Sequence, residues 1–174
     1  MERRELFGSL FSSFRGEKKE KKEVIVRPPY FYYENSTYKD DVSFFTKECV
    51  NCEGVCSTFC EEKIIVITED KTPKIDFSLG GCTYCDACAK ACPSGVLKVE
   101  YKHQIRTNVE INMLGCMSWD KTMCFSCKDP CLEDAIEFLG MFRPTINREK
   151  CTNCGFCIAV CPTGAISINE IKEG

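Results

Sequence analysis

Cys82-Thr83-Tyr84-Cys85-Asp86-Ala87-Cys88-Ala89-Lys90-Ala91-Cys92-Pro93 is the stretch that decides the fold. Its spacing, Cys-x2-Cys-x2-Cys-x3-Cys-Pro, is the thiolate pattern that ligates a [4Fe–4S] cluster. The pattern returns at Cys151, Cys154, Cys157 and Cys161, again followed by a proline, Pro162. Three thiolates two residues apart can be wrapped around one corner cluster by a tight loop whose backbone N–H groups face the sulfides. The fourth cysteine, three residues on, commonly ligates the neighbouring cluster, so clusters are expected in pairs.

Working outward, the sixteen cysteines of this 174-residue chain fall into four groups of four. The first, Cys49, Cys52, Cys56 and Cys60, has one residue more than the regular spacing and Glu61 in place of the trailing proline. The extra residue can bulge the loop at Gly54, where glycine tolerates unusual backbone angles. In the third, Cys116 is separated by Met117 to Met123 from Cys124, Cys127 and Cys131. All sixteen are candidate metal ligands, and four [4Fe–4S] clusters are the expected cofactors. Trp119, inside the third group's enlarged loop, is expected to pack structurally rather than to shield a cluster or mark a contact.

Other uses of cysteine fit less well. Cysteines three apart in a run are poor disulfide partners. Structural zinc sites use two Cys-x2-Cys pairs separated by a longer loop, not four cysteines crowded before a proline. No Cys-x3-Cys-x2-Cys triad occurs, so open-site radical chemistry has no support. Nor do the remaining residues supply a serine–histidine–acid set, a phosphate-cradling glycine loop or a paired-carboxylate site. No enzyme activity is expected. His103, the single histidine, is expected to be exposed in a hairpin turn.

Counted from the fourth cysteine of each group, the chain is an internal repeat. Cys60 is followed at matching offsets by Ile64, Ile65 and Ile67, and Cys92 by Val96, Leu97 and Val99. Cys131 is followed by Ala135, Ile136 and Phe138, and Cys161 by Ala165, Ile166 and Ile168. A helical turn leading into a strand is expected each time. Hairpins are expected from Ile64–Thr68 to Lys74–Phe77, from Val96–Tyr101 to Val109–Met113, and from Ala135–Leu139 to Thr145–Asn147. Glu69 to Pro73 and Gly140 to Pro144 supply turn residues.

The expected fold is therefore α+β: tandem bacterial 2[4Fe–4S] ferredoxin-like modules behind an irregular N-terminal extension. The divisions are 1–43 for the extension, 44–113 for the first module and 114–174 for the second. Pairing of the first group with the second and the third with the fourth is preferred, although hairpin linkers of similar length also allow nesting. Units this small have little ordinary core, so ligation must supply much of their stability.

Within 1–43, Leu6, Phe7, Leu10, Phe11 and Phe14 fall at helical spacing and form one apolar face. Docking on a partner or a membrane surface, or packing on the modules, are both open to it. Residues 17–23 are a charged linker, and Arg27-Pro28-Pro29-Tyr30-Phe31-Tyr32-Tyr33 is an aromatic-rich extended stretch expected to pack along the module surface. Arg3-Arg4 is not followed by an export-type apolar region, and no stretch is apolar enough to span a membrane, so a cytoplasmic location is expected. The formal charge is −3; at about −2 per oxidised cluster, four clusters bring it to roughly −11, which suits basic partner surfaces and not nucleic acid.

The chain resembles the NapF-type ferredoxins associated with periplasmic nitrate reductase. Arg3-Arg4, Arg27-Pro28-Pro29, Phe44-Phe45-Thr46 before Cys49, the Cys82–Cys88 run and Phe142-Arg143-Pro144-Thr145 before Cys151 carry the likeness. So does Cys116 with its long gap to Cys124-Phe125-Ser126-Cys127-Lys128-Asp129-Pro130-Cys131. The resemblance implies a cytoplasmic iron–sulfur protein that binds the catalytic subunit of periplasmic nitrate reductase in precursor form and assists its maturation, by electron delivery or cluster loading, with membrane-associated redox proteins as further partners. The alternative is an electron-relay subunit of another anaerobic respiratory oxidoreductase.

Overall fold

The computed structural model describes residues 24–32 and 41–169. The amphipathic face at Leu6 to Phe14 and the charged linker at 17–23 lie outside the described residues. In chain order the elements are α1 (Asp41–Cys49), α2 (Val55–Thr58), β1 (Ile65–Ile67), β2 (Pro73–Ile75), α3 (Ala87–Lys90), a 3-10 turn (Val99–Tyr101), β3 (Asn108–Ile111), β4 (Ile136–Leu139), β5 (Phe142–Ile146), α4 (Phe156–Ala159) and β6 (Ile166–Asn169).

Two units share one plan: an extended segment, a cysteine group, a hairpin, a second group and a closing segment that returns to the first, with the outer segments paired as full strands in the second unit and joined by isolated bridges in the first. In the second unit β3 precedes the third group and pairs antiparallel with β6, which follows the fourth, while β4 and β5 form the hairpin between. In the first unit β1 and β2 form the hairpin. Its opening segment is the Val26–Phe31 stretch, which makes isolated bridges to Ile75 at Val26 and to Leu97 at Phe31. Ile75 donates its N–H to the Val26 carbonyl, and Lys98 donates to that of Tyr30, both at 2.7 Å.

The first and third expected hairpins form. Strand pairing continues in the third as far back as Phe142, so its turn is only Gly140 and Met141, with Gly140 at φ 69°. The second does not form. Val99 to Tyr101 coils into the 3-10 turn, and β3, on the first-module side of the 113/114 division, pairs with β6 instead. Residues 96–98 had a better partner in the opening segment, and Val109 gains a buried place opposite Ile168.

Within the aromatic stretch Tyr30 and Phe31 are core, at most 2% exposed, together with Val26 just before it, whereas Tyr32 is half exposed on the surface. Arg27 is buried with the core residues. Its guanidinium donates to Thr72 Oγ1 (2.8 Å) and the Pro73 carbonyl (2.7 Å) and lies 4.9 Å from the Phe45 ring centre. His103 differs from expectation too: it is half-buried, edge-on to Phe31 with ring centres 4.9 Å apart, and its Nδ1 pairs with the Tyr101 carbonyl. The first unit thus has a sizeable core from Val26 to Ile105. The second has a much smaller one, built on Val109, Cys127, Ile136 and Ile166. Ile158 and Ile168 pack against both and make them continuous.

Candidate metal centres

Each cysteine group sits on a loop shaped by left-handed residues. Two positions before the third cysteine, Gly54 (φ 73°), Asp86 (φ 64°) and Gly155 (φ 88°) start the one-turn helices α2, α3 and α4. The extra residue of the first group therefore falls at Glu53, upstream of Gly54, and leaves Cys56 with the same relation to its helix as Cys88 and Cys157. Three positions after the fourth cysteine, Lys63, Gly95, Asp134 and Gly164 are left-handed in all four groups. This turn sends the next N–H groups back toward sulfur. Leu97 donates to Cys92 Sγ (3.4 Å), Ala135 to Cys131 Sγ (3.3 Å) and Ala165 to Cys161 Sγ (3.2 Å).

The fourth cysteines are exchanged within each unit. One hollow is lined by Cys82, Cys85 and Cys88 together with Cys60 of the first group. A second is lined by Cys116, Cys124 and Cys127 together with Cys161 of the fourth. A third is lined by Cys151, Cys154 and Cys157 with Cys131 of the third. The three hollows account for twelve of the sixteen cysteines and leave Cys49, Cys52, Cys56 and Cys92. Burial pushes Cys49 and Cys56 up to about 11, and the next largest influence on both is a thiolate on Cys92, with Cys52 also raising each. The structure thus gathers twelve of the expected ligands into three sets of four and leaves the other four as the last set, which pairs the first group with the second and the third with the fourth.

The donor sets fit a cluster better than a single ion. Among the described residues no group of three or more His, Cys, Asp or Glu side chains is placed to hold one metal ion. The cysteines line the hollows four at a time, the number of thiolates that cap the four irons of a [4Fe–4S] cluster. Burial pushes Cys88 and Cys157 up to about 12 and Cys82 and Cys127 to about 11, so without metal these thiols stay protonated at neutral pH. Cys92 and Cys161, the two followed by proline, behave in the opposite way. Burial would raise them, but hydroxyl and N–H donors outweigh it and hold both below the ordinary thiol value. The donors are Ser94 with Leu97, Val96 and Gly95 for the first, and Thr163 with Ala165 and Ile166 for the second.

The enlarged loop of the third group folds against the hairpin. Trp119 Nε1 donates to the Pro144 carbonyl at 3.1 Å, the Arg143 guanidinium lies 5.8 Å from its ring centre, and the Arg143 N–H reaches the Ser118 carbonyl at 3.4 Å. Trp119 is therefore a packing residue.

This geometry agrees with the comparisons. The family described as 4Fe-4S dicluster domain matches residues 48–96, spanning the first two groups, and the 4Fe-4S binding domain matches 144–167, spanning the fourth. Cys116, Cys124, Cys127 and Cys131 fall outside both. The Escherichia coli (strain K12) ferredoxin-type protein NapF is 30% identical over 146 residues, covering 82% of this chain and 83% of its own. The chain belongs to the NapF family of ferredoxin-type proteins. The Haemophilus influenzae NapF protein is also 30% identical, covering 86% of this chain and 82% of its own, and the Escherichia coli ferredoxin-type protein NapG is 26% identical over 79% of this chain. The protein is thus an iron–sulfur protein of the [4Fe–4S] type with a repeated ferredoxin-like motif.

Sequence reasoning missed the residues between the units. Tyr84, Ile105, Thr152 and Asn153 make a hydrogen-bonded seam, with the Tyr84 hydroxyl donating to the Thr152 carbonyl (2.6 Å) and accepting from the Ile105 N–H (3.1 Å). The available signal was positional. Tyr84 and Asn153 hold the same place, two residues after the first cysteine of groups two and four, and both are left-handed.

Proposed function

We propose that the chain is a four-cluster polyferredoxin, two 2[4Fe–4S] modules in tandem, that carries single electrons and is not itself an enzyme. The observation that carries this reading is the exchange of fourth cysteines, which leaves four complete sets of thiolates: Cys49, Cys52, Cys56 and Cys92; Cys60, Cys82, Cys85 and Cys88; Cys116, Cys124, Cys127 and Cys161; Cys131, Cys151, Cys154 and Cys157. When bound, a [4Fe–4S] cluster supplies reversible one-electron storage. The chain's own part is to hold the sulfurs, aim N–H donors at them and exclude water.

We further propose that it serves the catalytic subunit of periplasmic nitrate reductase in its precursor form, in the cytoplasm, by supplying electrons or assisting cluster loading. Membership of the NapF family, across more than four-fifths of the chain, supports this. Among the described residues no helix is long and apolar enough to cross a membrane.

Anaerobic quantification tests the first claim: about sixteen iron and sixteen sulfide per chain are expected. Zinc in their place, or iron-free protein in which both units stay compactly folded, would overturn it. Capture of the nitrate reductase precursor by the full chain, and its loss on deleting residues 6–14, tests the second.

A further inference from the structure

Cys82 donates its backbone N–H to the Cys154 carbonyl at 2.7 Å. These residues belong to different units and to different cysteine sets, so one hydrogen bond joins the wall of the second site to that of the fourth.

Tyr84 stands at this crossing. Its hydroxyl bridges Thr152 and Ile105, and Asn153 Nδ2 donates to the Ile105 carbonyl at 3.2 Å, so Ile105 is held at both its N–H and its carbonyl. Lys102 holds the Tyr84 carbonyl at 2.8 Å and Asp86 at 2.7 Å, steadying the loop from the first unit. The approach is close enough to demand glycine. A Cβ on Gly81 would lie 2.5 Å from Phe156 N and 2.6 Å from its ring, and a Cβ on Gly155 would run into the Phe77 ring.

We propose that Tyr84 is a positioning residue that locks the two units together so that the site of Cys60, Cys82, Cys85 and Cys88 and the site of Cys131, Cys151, Cys154 and Cys157 lie side by side. The four sites then run in the spatial order first, second, fourth, third, with the first and third at the ends. This inference rests on the four-cluster reading above. It adds that the modules form one connected array rather than two independent carriers.

The test uses the anaerobically purified holoprotein, full chain, as wild type and as the Tyr84→Phe and Gly81→Ala variants. Tyr84→Phe removes the bridging hydroxyl and keeps the ring; Gly81→Ala wedges the seam from the other side. Iron and sulfide are counted, and low-temperature paramagnetic resonance is recorded through stepwise reduction. Both variants are expected to keep the wild-type iron content while losing the same part of the spin–spin broadening, namely the part that couples the units. Fully loaded variants whose spectra superimpose on wild type would overturn the proposal. Loss of iron from Tyr84→Phe with retention in Gly81→Ala would also overturn it, because the tyrosine would then build a site rather than orient one. Wild-type protein without clusters would instead defeat the four-cluster reading, a result the iron count alone reveals.

Discussion

Lys63 and Asp134 occupy a backbone position that their side chains make costly. Both have positive φ, 54° and 46°, where the equivalent positions of groups two and four carry Gly95 and Gly164. A left-handed conformation costs an ordinary L-residue roughly 1–2 kcal/mol. Both side chains are exposed, and the Lys128–Asp134 ion pair at 3.5 Å is of the surface kind that contributes little. Lys63→Gly and Asp134→Gly are therefore each expected to stabilise the holoprotein by about 1 kcal/mol, read as a higher guanidinium midpoint under anaerobic conditions. Gly54 predicts the reverse. At φ 73°, with Ile67 Cγ1 only 2.7 Å from where a Cβ would sit, it has room for nothing larger. Gly54→Ala is expected to displace the loop carrying Cys52 and Cys56 and to lower the iron content by about four atoms per chain; unchanged iron would show that the extra residue at Glu53 absorbs the strain.

At the scale of elements, Arg27 is the tie between the opening segment and the β1–β2 turn. Removing a buried guanidinium leaves Thr72 Oγ1 and the Pro73 carbonyl short of a donor and Phe45 short of a packed neighbour. Arg27→Ala is expected to cost roughly 3 kcal/mol, measured as a fall in unfolding free energy, with the second unit's amide exchange protection less affected than the first's. That tie was invisible in the sequence, where Arg27-Pro28-Pro29 read as surface cover because an arginine beside two prolines gives no sign of burial. The cysteine groups were legible because their chemistry demands fixed local spacing, and the β1–β2 and β4–β5 hairpins because each pairs neighbouring segments. The partners of β3 and of Phe31 were not. Val109 meets Ile168 and Phe31 meets Leu97 only after a whole unit has closed, and alternation of apolar residues marks a strand without marking its partner. The Tyr84 seam spans a comparable separation, 68 positions from Tyr84 to Thr152, and crosses from one unit to the other.

Over the whole molecule the two units should differ in how far they depend on metal. The first buries Tyr30, Phe31, Phe45, Ile64, Val96, Leu97 and Ile105 almost completely, enough apolar surface to favour residual structure without its clusters. The core of the second rests on Val109, Cys127, Ile136 and Ile166, and one of these is itself a proposed ligand. When iron is withdrawn by a chelator under anaerobic conditions, the energy of ligation is lost from both units, but only the second is left with too few apolar contacts to offset its chain entropy. Hydrogen exchange is expected to show β4, β5 and α4 losing protection first. β1, β2 and the bridges from Val26 and Phe31 should persist to higher chelator exposure. Ile158 and Ile168 touch both cores, so their amides should follow the second unit while exposing a flank of the first. Simultaneous loss across 24–169 would instead mean that the seam at Cys82 and Cys154 makes the units a single cooperative body, with stability shared through the junction and not set by the size of each core.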